Sequence, residues 1–172
     1  MIVVQPIESR EWQLYRDLRL RALRDSPEAF ASTYESEAAR TDEAWAMRIA
    51  TAVASDNDHP CFAYHDGVVC GLVWCKLSGS EQGVADIFQM WVDPGSRGLG
   101  GGHALLVHAV SWAKNLDMQR LRLGTTALDS PAMRLYLNCG FLPVGMLEPL
   151  RDHSDLKSQS MELEIQHQSA HH

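Results

Sequence analysis

Basic residues are scarce in this 172-residue chain, which carries 15 Lys and Arg against 22 Asp and Glu and has a formal net charge of −7. This balance argues against a nucleic-acid partner, because proteins that bind phosphate backbones concentrate positive charge on one surface. The chain also lacks an apolar run near the roughly 20 residues that a membrane-spanning helix needs, and its first residues lack the basic and apolar segments of a secretory signal. We therefore expect a cytoplasmic protein without nucleic-acid or membrane partners.

Cysteines are few, and no two of them form a Cys-x-x-Cys pair. Cys61, Cys70, Cys75 and Cys139 lie in apolar or strand-like runs, where a free thiol packs as a small hydrophobic group. A domain of this length does not depend on disulfides for its stability. The eight histidines are scattered and show no His-Glu-x-x-His or paired Cys/His spacing. The sequence therefore predicts four reduced thiols and no metal site.

The hydrophobic pattern alternates between strand and helix periods along the chain. Strands are predicted at residues 2–7, 61–65, 68–74, 84–92, 121–123, 141–147 and 158–165. Helices are predicted at residues 12–23, 36–54, 102–116 and 130–139, with Thr41 as a candidate cap in the second of them. Asp66-Gly67 is a preferred dipeptide of the tight type I′ hairpin turn. This order predicts an α/β (α+β mixed) fold of about six to seven strands, with helices on both faces of a mixed sheet. We expect one domain over residues 1–166 and a polar, histidine-containing tail at 167–172.

A glycine-rich turn between a predicted strand and a predicted helix carries the clearest chemical signal. Residues 93–103 read Asp-Pro-Gly-Ser-Arg-Gly-Leu-Gly-Gly-Gly-His. Glycine allows positive φ angles and lets an anion come close to the backbone, and the following helix offers free N–H groups to phosphate oxygens. Arg97 would add a charge-assisted contact. The turn therefore predicts a pyrophosphate-binding loop, with a tight turn that binds nothing as the alternative.

Two other phosphate-binding motifs do not fit this turn. A Walker loop ends in Gly-Lys-Ser/Thr, and no lysine lies between Lys76 and Lys114. A dinucleotide fingerprint needs Gly-x-Gly-x-x-Gly directly after the strand and an acidic residue at the end of the next strand. Here His103 takes the place of the third glycine, and residues 123–125 contain no carboxylate. Both motifs are excluded.

Two ordered motifs resemble the GNAT superfamily of N-acetyltransferases. Arg97-x-x-Gly100-x-Gly102 matches the family's acyl-CoA pyrophosphate signature R/Q-x-x-G-x-G/A, and Met90-Trp91-Val92-Asp93-Pro94 resembles the strand end that precedes it. Downstream, Ala132-x-x-Leu135-Tyr136-x-x-x-Gly140-Phe141 resembles the family's A-x-x-L-Y-x-x-x-G-F segment. The resemblance covers residues 84–144, with one helix and one strand between the two motifs.

The resemblance implies a sheet splayed near its middle and direct transfer of an acetyl group from acetyl-CoA to a primary amine of a small molecule, protein or peptide, with CoA as product and without a metal. Asp129 stands where the family often has asparagine. The implied cofactor-binding residues are Met90, Trp91, Val92, Arg97, Gly98, Leu99, Gly100, Gly101, Gly102, His103 and Asp129. The competing functions are a non-catalytic acyl-CoA-binding or sensing module and a dinucleotide oxidoreductase. Such a protein would be a monomer or a homodimer.

Tyr136 and Asp86 are the candidate catalytic residues. The resemblance implies that Tyr136 is the general acid that protonates the leaving thiolate, and its alternative role is a packed core residue. Asp86 is the candidate general base, because a carboxylate that interrupts an apolar strand can have a raised pKa. A solvent-facing strand residue and a water chain are the alternatives. Cys139 lies at a helix C-terminus, which disfavours a nucleophilic thiolate.

The resemblance places the acceptor site between residues 34–45 and residues 144–157. Three carboxylates in or near these segments are candidates for attracting an amine: Glu35, Glu37 and Glu148. A row of arginines on the first helix is expected to face solvent rather than to bind an anion: Arg16, Arg19, Arg21 and Arg24.

Overall fold

The computed structural model describes residues 1–167, so the predicted polar tail, apart from His167, lies outside the described residues. The division into a domain and a tail stays a prediction. The helices are α1 (Trp12–Asp25), α2 (Tyr34–Ala38), α3 (Asp42–Ala54), α4 (Gly101–Asn115) and α5 (Pro131–Asn138). The strands are β1 (Ile2–Pro6), β2 (Asp58–His65), β3 (Val68–Leu77), β4 (Val84–Val92), β5 (Arg120–Thr126), β6 (Leu142–Pro149) and β7 (Lys157–Glu164). Within residues 1–167, none of these helices is both long and apolar enough to cross a membrane.

The seven strands form one mixed sheet in the order β1-β2-β3-β4-β5-β7-β6, which confirms the predicted fold class. Only β4 and β5 run parallel among its neighbouring pairs. Their pairing extends from Val84 opposite Arg120 to Ile87 opposite Leu123. Beyond this point β4 remains paired with β3 alone, and β5 remains paired with β7 alone. The sheet therefore opens between its two central strands, as the family resemblance implies.

A β-bulge lies in the part of β4 that has separated from β5. Leu72 pairs with Trp91 and Trp74 with Phe88, so one residue of β3 faces two residues of β4. Gln89 is one of these two residues and has a φ of 57°. A bulge bends its strand and re-aims the neighbouring side chains.

Helices cover both faces of the sheet because side chains alternate between the faces along each buried strand. On one face, α4 and α5 bury Leu105, Tyr136 and Phe141 against the strands. On the other face, α1 and α3 bury Tyr15 and Trp45. These buried residues make up the two cores between which the sheet lies.

The predicted helix at residues 36–54 is wrong in one respect, because it forms two helices, α2 and α3. The Thr41 hydroxyl accepts a hydrogen bond of 3.1 Å from the backbone N–H of Ala44, which caps α3. Such a cap satisfies a helix N–H and holds the capping residue in extended backbone, which ends the preceding helix. The predicted type I′ turn is consistent with the observed backbone, with a φ of 49° at Asp66 and 82° at Gly67.

Two histidines meet between β2 and α4 beside one of the four cysteines, all of which are free thiols. The Nε2 atoms of His59 and His108 are 2.9 Å apart, and the Cys61 Sγ lies 3.5 Å from the latter. The ring planes differ by 10° and the centroids are 5.2 Å apart, so the rings face each other head-on, as in an N–H···N hydrogen bond. A metal ion would need the two Nε2 atoms to be directed at one common point, whereas here they are directed at each other.

The histidine pair predicts a loss of stability in mild acid. Burial lowers the pKa of His59, with a further contribution from His108, and burial also lowers the pKa of His108. As the pH falls, these two histidines therefore bind protons at a higher pH in the unfolded chain than in the folded protein. The free energy of unfolding should fall as the pH drops below about 6.5. Urea denaturation between pH 7 and pH 5 should show a smaller loss for a double variant with His59→Gln and His108→Gln. An equal loss in both proteins would contradict this account.

Candidate active site

The glycine-rich loop places unpaired backbone N–H groups at the start of α4. Gly98 and Gly100 both have a φ of 88°, which favours glycine. The Gly100 carbonyl accepts the first helical hydrogen bond, from Ala104 at 3.0 Å, and no side chain caps the helix. The first N–H groups of a helix have no partner within it. The N–H groups of residues 100–103 are therefore free to bind oxyanions such as phosphates.

Close packing around this helix start depends on Gly102. A Cβ atom at that position would lie 3.0 Å from Leu135 Cδ2 of α5 and 3.8 Å from Met90 Cε of β4. At Gly101, a Cβ would lie 3.4 Å from the Val92 side chain. These glycines let α4, α5 and the free end of β4 converge, so the loop fits a group that must come close to the backbone.

Arg97 is held at the side of the loop that faces α1. Its Nε donates to the Val92 carbonyl at 3.0 Å, and its Nη2 donates to Asp25 Oδ2 at 2.9 Å. Hydrogen bonds from Ser26 first, and then from Trp91 and Arg97, lower the pKa of Asp25. The predicted phosphate contact of Arg97 stays a prediction, and no sequence pattern indicated the bond to Asp25.

Tyr136 lies between α5 and the sheet with only 7% of its surface exposed. Its ring makes an edge contact with Phe141 at 6.1 Å between centroids. Burial raises the pKa of Tyr136 to about 12, and it is the sole cause of that shift. The hydroxyl therefore keeps its proton at neutral pH, as a proton donor must.

Asp86 is tied to the neighbouring strand by a guanidinium group. Arg122 of β5 donates to Asp86 from Nε at 2.8 Å and from Nη2 at 3.4 Å. The same arginine reaches Glu81 at 3.0 Å. A two-pronged contact of this kind occupies both oxygens of the carboxylate. The geometry therefore favours an ion pair that joins β4 to β5 over proton abstraction.

The remaining predicted contacts lie around the loop with different degrees of exposure. Trp91 is buried on the α1 face and donates to Asp25 at 3.2 Å. The His103 Nδ1 atom lies 3.9 Å from the Cys139 sulfur. Leu99 is exposed on the loop. Asp129 is 88% exposed and lies 3.6 Å from Arg134. The Ser130 hydroxyl caps α5 by accepting a hydrogen bond from the Met133 N–H.

A polar cluster under α1 was not predicted from the sequence. The Tyr15 hydroxyl donates to Gln89 Oε1 at 2.7 Å, at the bulge of β4. Arg48 lies 3.5 Å from the same hydroxyl and donates to Glu37 at 3.1 Å. Arg40 also binds Glu37, which is buried. Glu37 was expected to attract an amine. Its carboxylate already has two cationic partners, Arg40 and Arg48, which disfavours that role.

The row of arginines on α1 does not face solvent throughout. Arg16 and Arg21 are ion-paired near the surface, but Arg19 is only 3% exposed. The expectation of a solvated face is wrong for Arg19, because the helix turns that residue towards the same side as Tyr15 and Leu23. Tyr15 and Leu23 each lie four residues from Arg19, and residues at this spacing share one face of a helix. This spacing could have revealed that Arg19 is buried.

Comparison with known proteins identifies the fold described above. Residues 14–141 match the Acetyltransferase (GNAT) family. The chain belongs to this GNAT acetyltransferase family. It is 30% identical over 137 residues to the mycothiol acetyltransferase of Acidothermus cellulolyticus, an alignment that covers 72% of this chain and 39% of that protein. The chain thus spans about two fifths of the length of the curated mycothiol acetyltransferases that it matches.

Solved GNAT structures share the architecture over nearly the whole chain. A GNAT acetyltransferase from Streptococcus pneumoniae has a TM-score of 0.78 at 21% identity, with 96% of this chain and 100% of that chain covered. The yncA protein of Salmonella typhimurium, solved with its cofactor acetyl-CoA, has a TM-score of 0.76 at 17% identity, with 100% and 98% covered. At these identities the likeness shows the fold of the GNAT domain.

Proposed function

We propose that this GNAT domain transfers an acetyl group from acetyl-CoA to a primary amine of a small molecule or peptide. The observation that carries the proposal is the set of free N–H groups at the start of α4, beside the opening between β4 and β5. A helix N-terminus and a glycine-rich loop suit the pyrophosphate of CoA. When bound, acetyl-CoA supplies an activated thioester.

The loop residues bind the cofactor and the free end of β4 orients the reacting group. Residues 100–103 contribute backbone N–H groups, and Arg97 contributes a positive charge at the edge of the loop. Backbone N–H groups of residues 90–92 stabilise the negative charge that develops on the carbonyl oxygen, a contribution of about 2–4 kcal/mol for one well-placed donor. Tyr136 donates a proton to the leaving thiolate, which its protonated and buried hydroxyl supports.

The acceptor amine has to lose a proton before it attacks, and either Asp86 or a chain of waters removes it. The bond from Arg122 supports the water chain. We expect Asp86→Asn and Arg122→Gln to lower the free energy of unfolding by similar amounts, about 1–2 kcal/mol for a partly exposed pair. In a plot of kcat/KM against pH, neither variant should shift the rise on the acidic side. Loss of that rise in Asp86→Asn alone would establish Asp86 as the base.

A thiol-release assay separates the transferase from a non-catalytic acyl-CoA sensor. The protein is mixed with acetyl-CoA and each member of a panel of primary amines, and free CoA is measured over time. A transferase releases CoA only when a suitable amine is present. Binding of acetyl-CoA without release for any amine would instead support the sensor.

The compartment, the partners and the oligomeric state of the protein are also part of the proposal. The four free thiols, of which three are buried, suit a reducing compartment such as the cytoplasm. We propose a small-molecule or peptide amine as the acceptor and no nucleic-acid or membrane partner. A monomer and a homodimer are both compatible with the fold, and sedimentation would distinguish them.

A further inference from the structure

Arg19 is a buried guanidinium that lacks hydrogen-bond partners. Its Nε and Nη1 atoms are the only buried side-chain nitrogens or oxygens in residues 1–167 without a partner. Folded proteins rarely leave such atoms unpaired, because a buried charge without compensation is strongly destabilising. An uncompensated cation in a folded protein therefore suggests a ligand that supplies the missing hydrogen-bond acceptors.

The surroundings of Arg19 hold more positive than negative charge. The Phe30 ring lies 4.7 Å from the guanidinium carbon and covers it. Glu37 is the carboxylate that interacts electrostatically with Arg19. Glu37 already accepts hydrogen bonds from Arg40 and Arg48. Burial alone would raise the pKa of Glu37, but these two bonds outweigh it and lower that pKa. Three guanidinium groups thus share one carboxylate, which leaves a local excess of positive charge.

Arg19 also lies close to the opening of the sheet. It is one helical turn beyond Tyr15, whose hydroxyl binds Gln89 at the bulge of β4. Burial raises the pKa of Tyr15 against an opposing contribution from the charge of Arg19. Burial lowers the pKa of Arg19, and the charge of Arg48 lowers it further. A ligand that touches Arg19 can therefore extend towards the end of β4 at which the acetyl group is transferred in the proposed function.

We propose that Arg19 binds an oxyanion of the acceptor, so that the substrate is an amine that also carries a carboxylate or a phosphate group. The inference rests on the proposed function, since it names the class of amine that the same site accepts. An oxyanion that moves the covering Phe30 ring aside would accept hydrogen bonds from the unpaired guanidinium nitrogens and neutralise the excess charge. The amine at the other end of the molecule would then face the bulge of β4.

Matched amines test this proposal. One pair is an amino acid and its carboxamide, and the other is an aminoalkyl phosphate and the corresponding amino alcohol. In the thiol-release assay, the protein should prefer an anionic member by about tenfold or more in kcat/KM. The pair with the larger preference identifies the oxyanion. Arg19→Met should abolish the preference, whereas Arg16→Met, on the same helix but paired with Asp17 and Asp42, should keep it.

Stability distinguishes a ligand-binding arginine from a structural one. Methionine can fill the space of Arg19 against Phe30 without an uncompensated charge, so Arg19→Met should raise the Tm of the ligand-free protein by about 3 °C or more. Arg48→Met should lower the Tm, because Arg48 is bonded to Glu37. A Tm that falls in Arg19→Met would show that the arginine serves the fold, and it would overturn the proposal.

Anion binding provides a readout that does not require turnover. Acetate or inorganic phosphate should raise the Tm of the wild-type protein above that in chloride of equal ionic strength, and Arg19→Met should remove this rise. Absence of an Arg19-dependent rise for both anions would overturn the inference. Calorimetry with acetyl-CoA on the same samples tests the proposed function separately. Acetyl-CoA binding and amine turnover without preference for an anionic acceptor would leave the function standing and refute the role of Arg19.

Discussion

Replacing Gly100 with valine should weaken acetyl-CoA binding by about 100-fold, because two effects act together. The first is conformational, since Gly100 has a φ of 88° and a β-branched residue is strained there. The second is steric at the ligand-binding surface. No atom of residues 1–167 lies within 4 Å of a Cβ built on Gly100, so the valine side chain would occupy open space in front of the free N–H groups of α4.

Isothermal titration calorimetry with acetyl-CoA measures this loss, and circular dichroism checks that the variant is folded. Gly79→Val is the matched control, because Gly79 also has no protein atom near a built Cβ but lies in a different loop without a positive φ. The control should bind acetyl-CoA as the wild-type protein does. Equal affinities for Gly100→Val and Gly79→Val would place the cofactor elsewhere.

Tyr136→Phe should lower kcat by about 100-fold and leave the affinity for acetyl-CoA almost unchanged, because general-acid catalysis contributes in this range. Phenylalanine keeps the ring and its edge contact with Phe141, so the fold should tolerate the change. The substitution removes only the hydroxyl that, in the proposed mechanism, protonates the leaving thiolate.

Steady-state thiol release gives kcat for this variant, and calorimetry gives its acetyl-CoA affinity. Tyr64→Phe serves as the control, since its hydroxyl lies 3.4 Å from Glu11 near β2 and outside the proposed site. The control should retain full activity. Wild-type turnover in Tyr136→Phe would refute the role as general acid and leave Tyr136 as a packed core residue.

The sequence was sufficient to predict the main elements of the fold because local patterns determine them. The apolar run of the β4 segment predicted a strand over residues 84–92, which the structure bounds as Val84–Val92. The single helix predicted at residues 36–54 did not separate α2 from α3, although Thr41 was a candidate cap and does cap α3. Hydrophobic periodicity does not report where a cap interrupts an apolar-rich stretch.

The candidate site was predictable where backbone geometry is encoded by residue type. The glycines of the loop indicated positive φ angles, and Gly98 and Gly100 both have them. Side-chain pairings were not predictable, because they join segments that are distant in sequence. Asp25 meets Arg97 across 72 positions, and Asp86 meets Arg122 across 36. Only the assembled sheet and helices bring these groups together.

Calorimetric titration of the wild-type protein with acetyl-CoA, CoA and NAD shows whether the glycine-rich loop is a CoA-binding site. Acetyl-CoA and CoA should bind at one site per chain, and Gly100→Val should lose both. NAD should not bind, because the strand that follows α4 has no carboxylate at residues 123–125 to hold a ribose. Binding of NAD without binding of acetyl-CoA would contradict an acetyl-CoA-dependent function.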